Sequence, residues 1–594
     1  MFTTRPDITG TFGVAASTHW IASSVAMGVL EKGGNAFDAA VASGFTLQVV
    51  EPHLNGPGGE VPVLFAKAGS EGVRVLCGQG VAPAAATVER YRELGLDLVP
   101  GTGLLSAVVP GAFDAWLLLL RDHGTWRLED VLAPAIHYAE HGQPLLSTTA
   151  DVISRLKNLF EKEWTTSAEL YLPNGTAPVA GALFRNPVLA ETYKKIINDS
   201  DVSGQSREVE IDSARKLWGE GFIAEAVDSF CRSTEAMDTS GRHHGGLLTG
   251  DDMAVWSASY EDPITFDYHG YTLCKTGPWG QGPVFLQQLA LLDGFELGAM
   301  DPEGPDFVHT IVECAKLAFA DREAFYGDPA FADVPLETLL SRAYTDDRRR
   351  LIEDTASLAL RPGQIDGYGG PIGGGNSSPV GAQDLGEFGA GEPTVAKTGE
   401  TRGDTCHLDV IDRHGNMVSA TPSGGWLQGS PAIPGLGFCL NTRAQMFWLD
   451  ERSPNVIAPG KRPRTTLTPS LALRDGKPYM AFGTPGGDQQ DQWSLAFFLR
   501  LVHHGMSLQQ AIDAPAFHSD HWPSSFYPRQ DKPGHLVMES RFSDQTLSEL
   551  RRRGHDVAVG PAWSEGRLSA CTRDDELLSA AANARGMQGY AAGR

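Results

Sequence analysis

The sequence predicts an α/β protein with a sizeable core. Helical apolar periodicity recurs through the first 326 residues, strand patterns cluster from His407 onward, and 41% of residues are hydrophobic against 20% charged. Global disorder is excluded by that composition. The 594-residue length gives a soft prior of roughly four domains, although large single α/β architectures exceed it. With 73 acidic against 48 basic residues, the net charge of −25 argues against a nucleic-acid backbone or an anionic membrane as partner. The N-terminal MFTTRPDITG lacks the basic and apolar regions of a secretory signal, and no long uncharged apolar run reads as a membrane span. Seven scattered cysteines without CxxC spacing read as free thiols in a reducing compartment. The cytoplasm is the expected location.

The elements follow in order. Ile21, Val25, Val29 and Leu30 share one helix face, and Gly33-Gly34-Asn35 ends that helix. Ala36 to Val50 forms a second helix, and Gly56-Pro57-Gly58-Gly59 turns the chain into a strand at 61–65. Further helices are expected at 112–121, 128–140, 212–230, 283–294 and 306–326. The last places Ile311, Ala315, Ala318 and Phe319 on one face and leaves Glu313, Lys316, Asp321 and Glu323 for the others. The stretch 361–404 is rich in glycine and lacks periodicity, as a flexible linker would be. Strands follow at 407–411 and 416–420, then around the Asp475-Gly476 turn.

The common catalytic motifs are absent: no G-x-S-x-G, HExxH, paired CxxC or GxxxxGK[ST] occurs. Gly373-Gly374-Gly375 lacks the lysine of a phosphate loop. The adjacent pairs His243-His244 and His503-His504 diverge too much to chelate a metal. What remains is Thr405, at the start of a strand after a cleavable linker. A threonine hydroxyl needs a base, and its own α-amine supplies one once the preceding peptide bond is cut. That amine titrates near about 7.7–8, whereas an amide nitrogen takes up no proton. Taken alone, Thr405 also reads as an ordinary strand residue and Gly486-Gly487 as a turn.

Seven ordered blocks resemble the γ-glutamyltransferase family of N-terminal-nucleophile hydrolases: 29–59, 106–116, 245–256, 313–329, GDTCHLDVIDRHGNMVSAT at 403–421, KRPRTTLTPSL at 461–471, and GTPGG at 483–487. The resemblance implies a four-layer α/β/β/α sandwich made as one precursor. Thr405 would attack the carbonyl of Asp404, releasing subunits 1–404 and 405–594 that stay together as a heterodimer. The new N-terminal Thr405 would be the nucleophile, Ser423 the hydroxyl assisting it, and Gly486 and Gly487 the oxyanion donors. No metal or organic cofactor is implied.

The sequence departs from that family where a glutamyl donor is anchored. Val88 follows Ala82-Pro83-Ala84-Ala85-Ala86-Thr87 in place of the arginine that clamps the α-carboxylate, and Met446 replaces the aspartate that binds the α-ammonium. Leaving a buried charge without its partner costs about 3–5 kcal/mol, so loss of both anchors should nearly abolish glutamyl recognition unless Arg90 substitutes. Arg443 replaces a neutral amide of the family, and Thr465-Thr466 replace paired serines. A guanidinium suits a carboxylate; a surface salt bridge is the other reading of Arg443. The expected substrate is a small carboxylated, non-glutamyl acyl donor, with water or an amine as acceptor. Relatives hydrolyse oxamate or cephalosporin side chains, and others, in alkylproline pathways, are thought to cleave a carbon–carbon bond. Two alternatives remain: γ-glutamyl transfer on glutathione, and an unprocessed binding protein.

Overall fold

Three residues after Thr405 the chain enters the strand Leu408–Asp412, whose alternation decides what each face meets. Leu408 and Val410 join the core beneath one helical layer, whereas Ile411 joins the apolar contacts between two sheets. Asp409 points the same way as Ile411 and is held by His407 Nε2 at 3.0 Å and Ser569 Oγ at 2.9 Å.

The computed structural model describes residues 2–70, 72–201, 204–369 and 405–594. One seven-stranded sheet runs in the order Tyr590–Gly593, Gly13–Ser17, Leu408–Asp412, Met417–Ala420, Val61–Ala66, Arg74–Gly78 and Ser259–Glu261. The other runs Ile8–Gly10, Leu577–Ala582, Ser569–Asp574, Lys477–Gly483, Ser470–Arg474, Tyr271–Lys275 and Ile264–Tyr268. Every neighbouring pair in both sheets is antiparallel. Val14, Leu64, Val75, Ile411, Leu471 and Ala580 interdigitate between the sheets. Helices Ala36–Val50, Ala112–His123 and Leu128–His141 cover one outer face; Gly282–Leu292, Pro305–Phe325 and Gln490–His504 cover the other. This is the four-layer α/β/β/α sandwich. Strands from both sides of residues 370–404 are interleaved in both sheets, so a break in that stretch would leave one shared core.

Ala36–Val50 is buried along its whole length, and its lack of a polar face follows from that position. Its start is secured by a capping box between Asn35 and Asp38. The helix expected at 212–230 is two, Arg207–Glu220 and Phe222–Ser233, because Gly221 is extended (φ −104°, ψ −152°) and interrupts the turn. The helix Pro305–Phe325 also differs from expectation. Glu313, Lys316, Asp321 and Glu323 are all buried, because a further layer, Arg342–Arg349 and the chain after it, covers that side and supplies partners. Lys316 holds Glu313 at 2.6 Å, and Asp321 accepts from Tyr344 Oη at 2.8 Å and the Gly363 N–H at 2.7 Å. Residues 361–369 of the expected linker are thus tied to the fold by Arg361 and Gly363. Asp404 and Gly373-Gly374-Gly375 lie outside the described residues. All seven cysteines are unpaired and buried. Among the described residues no helix is long and apolar enough to cross a membrane.

Candidate active site

Thr405 is fixed by main-chain pairing before its side chain acts. It bridges antiparallel to Ser423, and Ser423 in turn exchanges hydrogen bonds of 2.9 and 3.0 Å with the main chain of Glu60. The neighbouring Cys406 N–H donates to Pro422 O at 2.9 Å. This ladder puts Thr405 Oγ1 3.1 Å from Ser423 Oγ, with both residues buried. Gly424 follows at φ +75°; a methyl group there would come within 2.5 Å of Glu60 Oε2, so the turn requires glycine.

The loop after strand Lys477–Gly483 lies beside this pair. Gly486 has φ +122°, and a Cβ there would stand 2.9 Å from the Trp493 ring. Gly486 O is 3.5 Å from Thr405 Oγ1 and accepts from the Gln490 side chain. The Gly487 N–H lies 3.3 Å from Gln489 Oε1, a long hydrogen bond. Because a trans peptide carries its C=O and N–H on opposite edges, the 486–487 unit presents its carbonyl to Thr405. The structure therefore brings the expected oxyanion loop to Thr405 but orients this peptide carbonyl-first. Donation from Gly487 to an oxyanion there requires the peptide to turn over, which two successive glycines permit.

Trp493 also packs edge-on to His518, with ring centroids 5.7 Å apart. His518 Nδ1 contacts Glu565 at 2.5 Å and Nε2 contacts Asp520 at 3.3 Å. Burial opposes the imidazolium, yet Glu565 and then Asp520 outweigh it and push His518 up to about 10. A raised histidine contributes its full stability below its ordinary value of 6.5 and loses it as pH climbs towards 10. Melting temperature is accordingly expected to fall across that interval, and His518→Gln to flatten the slope; calorimetry at stepped pH checks both.

Arg443 is fully buried and is not the surface salt bridge of the alternative reading. Its Nε donates to Glu60 Oε1, its Nη2 donates to Ser423 Oγ at 2.5 Å, and its guanidinium lies 4.8 Å from the Trp426 ring centroid and 5.8 Å from that of Phe526. Its Nη1 has no hydrogen-bond partner among the described residues. Thr465 and Thr466 are buried, and Thr466 Oγ1 likewise lacks a partner among the described residues. Met446 packs with Trp426 and Phe526. Val88 begins the short helix Val88–Glu93 and packs on Ala444 and Phe447. Both apolar replacements thus gather at a single turn, Arg443–Met446: Met446 ends it and Val88 packs against it. Arg90 sits on the exposed face of its helix, 3.5 Å from Glu93, and does not reach the place left by the missing clamp.

Behind the loop lies a buried charged group. Arg322 pairs with Asp488 and, at 2.8 Å, with Glu323; Arg464 reaches Glu323 at 2.5 Å. Arg529 donates to Gln445 O and Phe447 O and stacks 4.1 Å from the Trp448 ring centroid; burial pushes it down to about 9. Three guanidiniums against two carboxylates leave an excess positive charge behind the loop. One potential metal cluster, His309, Glu313 and His555, lies elsewhere. Its carboxylate is already held by Lys316 and Arg361, and those two cations oppose a third.

The model of the family described as Gamma-glutamyltranspeptidase matches residues 22–593. The chain belongs to the γ-glutamyltranspeptidase family. A curated relative, the glutathione hydrolase-like YwrD proenzyme of Bacillus subtilis (strain 168), is 32% identical over 587 residues, covering 98% of each chain. Among solved structures, LmbA2991 in its T421A form is 58% identical with a TM-score of 0.91, both chains being covered completely. The cephalosporin acylase of Bacillus halodurans is 27% identical with a TM-score of 0.82, over 100% of this chain and 97% of the other. This γ-glutamyltranspeptidase-family chain is accordingly an enzyme of a hydrolase and acylase family with proenzyme members.

Sequence reasoning missed Glu60, Trp426, Phe526, Arg464 and Arg529. Glu60 directly follows the Gly56–Gly59 turn and Arg464 directly precedes Thr465, so proximity to recognised blocks was the available signal. Phe526 and Arg529 stand in a stretch without a motif, and only packing brings them to the turn Arg443–Met446.

Proposed function

We propose that this family member cuts itself between Asp404 and Thr405 and then acts as an acyl hydrolase or acyltransferase on a carboxylated, non-glutamyl donor. The observation that carries the reading is the buried turn Arg443–Met446. Among the described residues Arg443 Nη1 has no hydrogen-bond partner, and its guanidinium reaches Thr405 through Ser423, while positions 88 and 446 hold packed apolar side chains. Such a pocket suits one carboxylate and offers the ammonium group of a zwitterion no carboxylate at position 446.

In self-cleavage, Thr405 Oγ1 adds to the Asp404 carbonyl, the carbon–nitrogen bond breaks to leave an ester, and water releases the Asp404 carboxylate. The freed α-amine then serves as base. It takes the Thr405 hydroxyl proton as Oγ1 attacks the acyl carbon, and returns it to the departing amine. Water hydrolyses the acyl-threonine ester, or a second amine takes up the acyl group. An acyl–carbon bond can break by the same sequence if the departing carbon receives that proton. The likeness to a cephalosporin acylase supports acyl-amide chemistry.

Purified protein is expected to give two bands on a denaturing gel, the smaller beginning at Thr405 by mass analysis. A γ-glutamyl anilide should be hydrolysed near background. Val88→Arg with Met446→Asp should raise that rate at least about tenfold, as expected when one buried charge pair is restored. Unchanged hydrolysis by the double variant would overturn the assignment of these two positions, and an active uncut chain would overturn the whole reading.

A further inference from the structure

We propose that Gln490 is a positioning residue: its side-chain amide holds the 486–487 peptide with the carbonyl towards Thr405, and the loop donates to an oxyanion only once that hydrogen bond is broken. This rests on the reading of Gly487 as an oxyanion donor. The direction of the amide is fixed from its far end. The Thr468 N–H, 3.1 Å from Gln490 Oε1, can only donate, so Oε1 is the acceptor there. Nε2 is then the atom that meets the loop, and it donates to Gly486 O. A carboxamide nitrogen accepts no hydrogen bond. Gln490, which is fully buried, therefore holds the carbonyl edge of this peptide and offers nothing to its N–H edge.

The surroundings confine turning to this one peptide. Gly487 O accepts from the Gln490 main-chain N–H at 3.1 Å and from Gln281 Nε2 at 3.3 Å, and Arg322 Nη1 holds Gln281 Oε1 at 2.8 Å. The peptide after Gly487 is thus pinned by two donors. On its N–H edge the 486–487 unit has only the 3.3 Å contact from Gly487 to Gln489 Oε1, which is long. Turning it changes chiefly ψ at 486 and φ at 487, both at glycines. The turned peptide brings the Gly487 N–H to the edge where Gly486 O now lies, 3.5 Å from Thr405 Oγ1. Its carbonyl then faces Gln489, whose amide meets it by rotating Nε2 inward. Gln489 serves either orientation and Gln490 only one. A neutral hydrogen bond of this kind shifts an equilibrium about 2- to 10-fold, so Gln490 sets how often the donor faces Thr405.

Two variants of the processed enzyme test this, with glutaryl-4-nitroanilide as a carboxylated donor that lacks an α-ammonium. Gln490→Met removes the hold on the carbonyl and should raise kcat about 2- to 10-fold. Gln490→Glu keeps an acceptor for the Thr468 N–H but puts a carboxylate against Gly486 O. That carboxylate repels the carbonyl and accepts from the turned Gly487 N–H, in competition with the oxyanion, so kcat should fall at least about tenfold. KM should stay unchanged in both, because neither change touches the turn Arg443–Met446. A packing defect would instead slow both variants. Crystal structures supply the second readout: Gln490→Glu should show the 486–487 peptide turned, and the parent should show it carbonyl-first. If a variant does not cut itself, or the anilide is not hydrolysed, the peptide orientation alone decides. Slower hydrolysis by both variants, or Gly486 O still facing Thr405 in Gln490→Glu, would overturn the role of Gln490. Full activity in Gly486→Ala would overturn the oxyanion reading instead, so the two failures are distinguishable.

Discussion

Thr405→Ala is expected to leave one uncut chain of 594 residues with turnover reduced at least about 10⁴-fold, the scale of losing a nucleophile. The substitution removes the hydroxyl oxygen that lies 3.1 Å from Ser423 Oγ. It also removes the means of creating a terminal amine, so both functions fail together. Ser423 does not replace it, because its oxygen is bonded to Arg443 and its nitrogen lies inside the chain. Folding should survive, since the main-chain bridges of 405 to 423 and of 423 to 60 do not involve the lost atoms. Thr405→Ser keeps the oxygen and should still cut. Intact mass over several days of incubation, together with turnover of any accepted acyl donor, checks the three outcomes.

Gly486→Ala should lower kcat about 10²–10³-fold, the effect of losing an oxyanion donor, and also lower the melting temperature by several degrees. Two physical causes act together. An alanine at φ +122° is strained, costing about 1–3 kcal/mol, and its methyl group would stand 2.9 Å from the Trp493 ring. The ring has little room to retreat, with His518 packed against it. The same methyl group would impede the turning of the 486–487 peptide that donation by Gly487 requires. Gly476→Ala is the control. It also sits at positive φ, +73°, but with open space around it, so it should cost stability without a comparable loss of rate. Steady-state kinetics and calorimetry on the two variants separate strain from catalysis.

Local pattern carried much of the fold. The apolar run at 36–50 and the Asn35 cap mark a helix buried on every side, and the alternation after Thr405 marks the strands of one sheet. Period says which residues share a face, however, and leaves open what covers that face. Glu313, Lys316, Asp321 and Glu323 fall off the apolar face of Pro305–Phe325, yet lie buried, because later segments of the chain supply Arg348, Arg361 and Arg464 as partners. The site divides in the same way. Thr405, Ser423, Gly486 and Gly487 stand out as candidates from the order of the blocks. Glu60 and Arg443, 383 residues apart, carry no mark of their pairing.

By itself the sequence determined the family, the four-layer sandwich and the residues to inspect, because short-range periodicity and ordered motifs are written along the chain. Only the tertiary structure decided that Arg443 is neutralised by Glu60 and bound to Ser423, that Arg90 faces solvent, and that the 486–487 peptide turns its carbonyl to Thr405. Each of those depends on which distant groups share a buried space. In a medium that screens charge poorly, that choice of neighbour sets where protons and substrate charges can go.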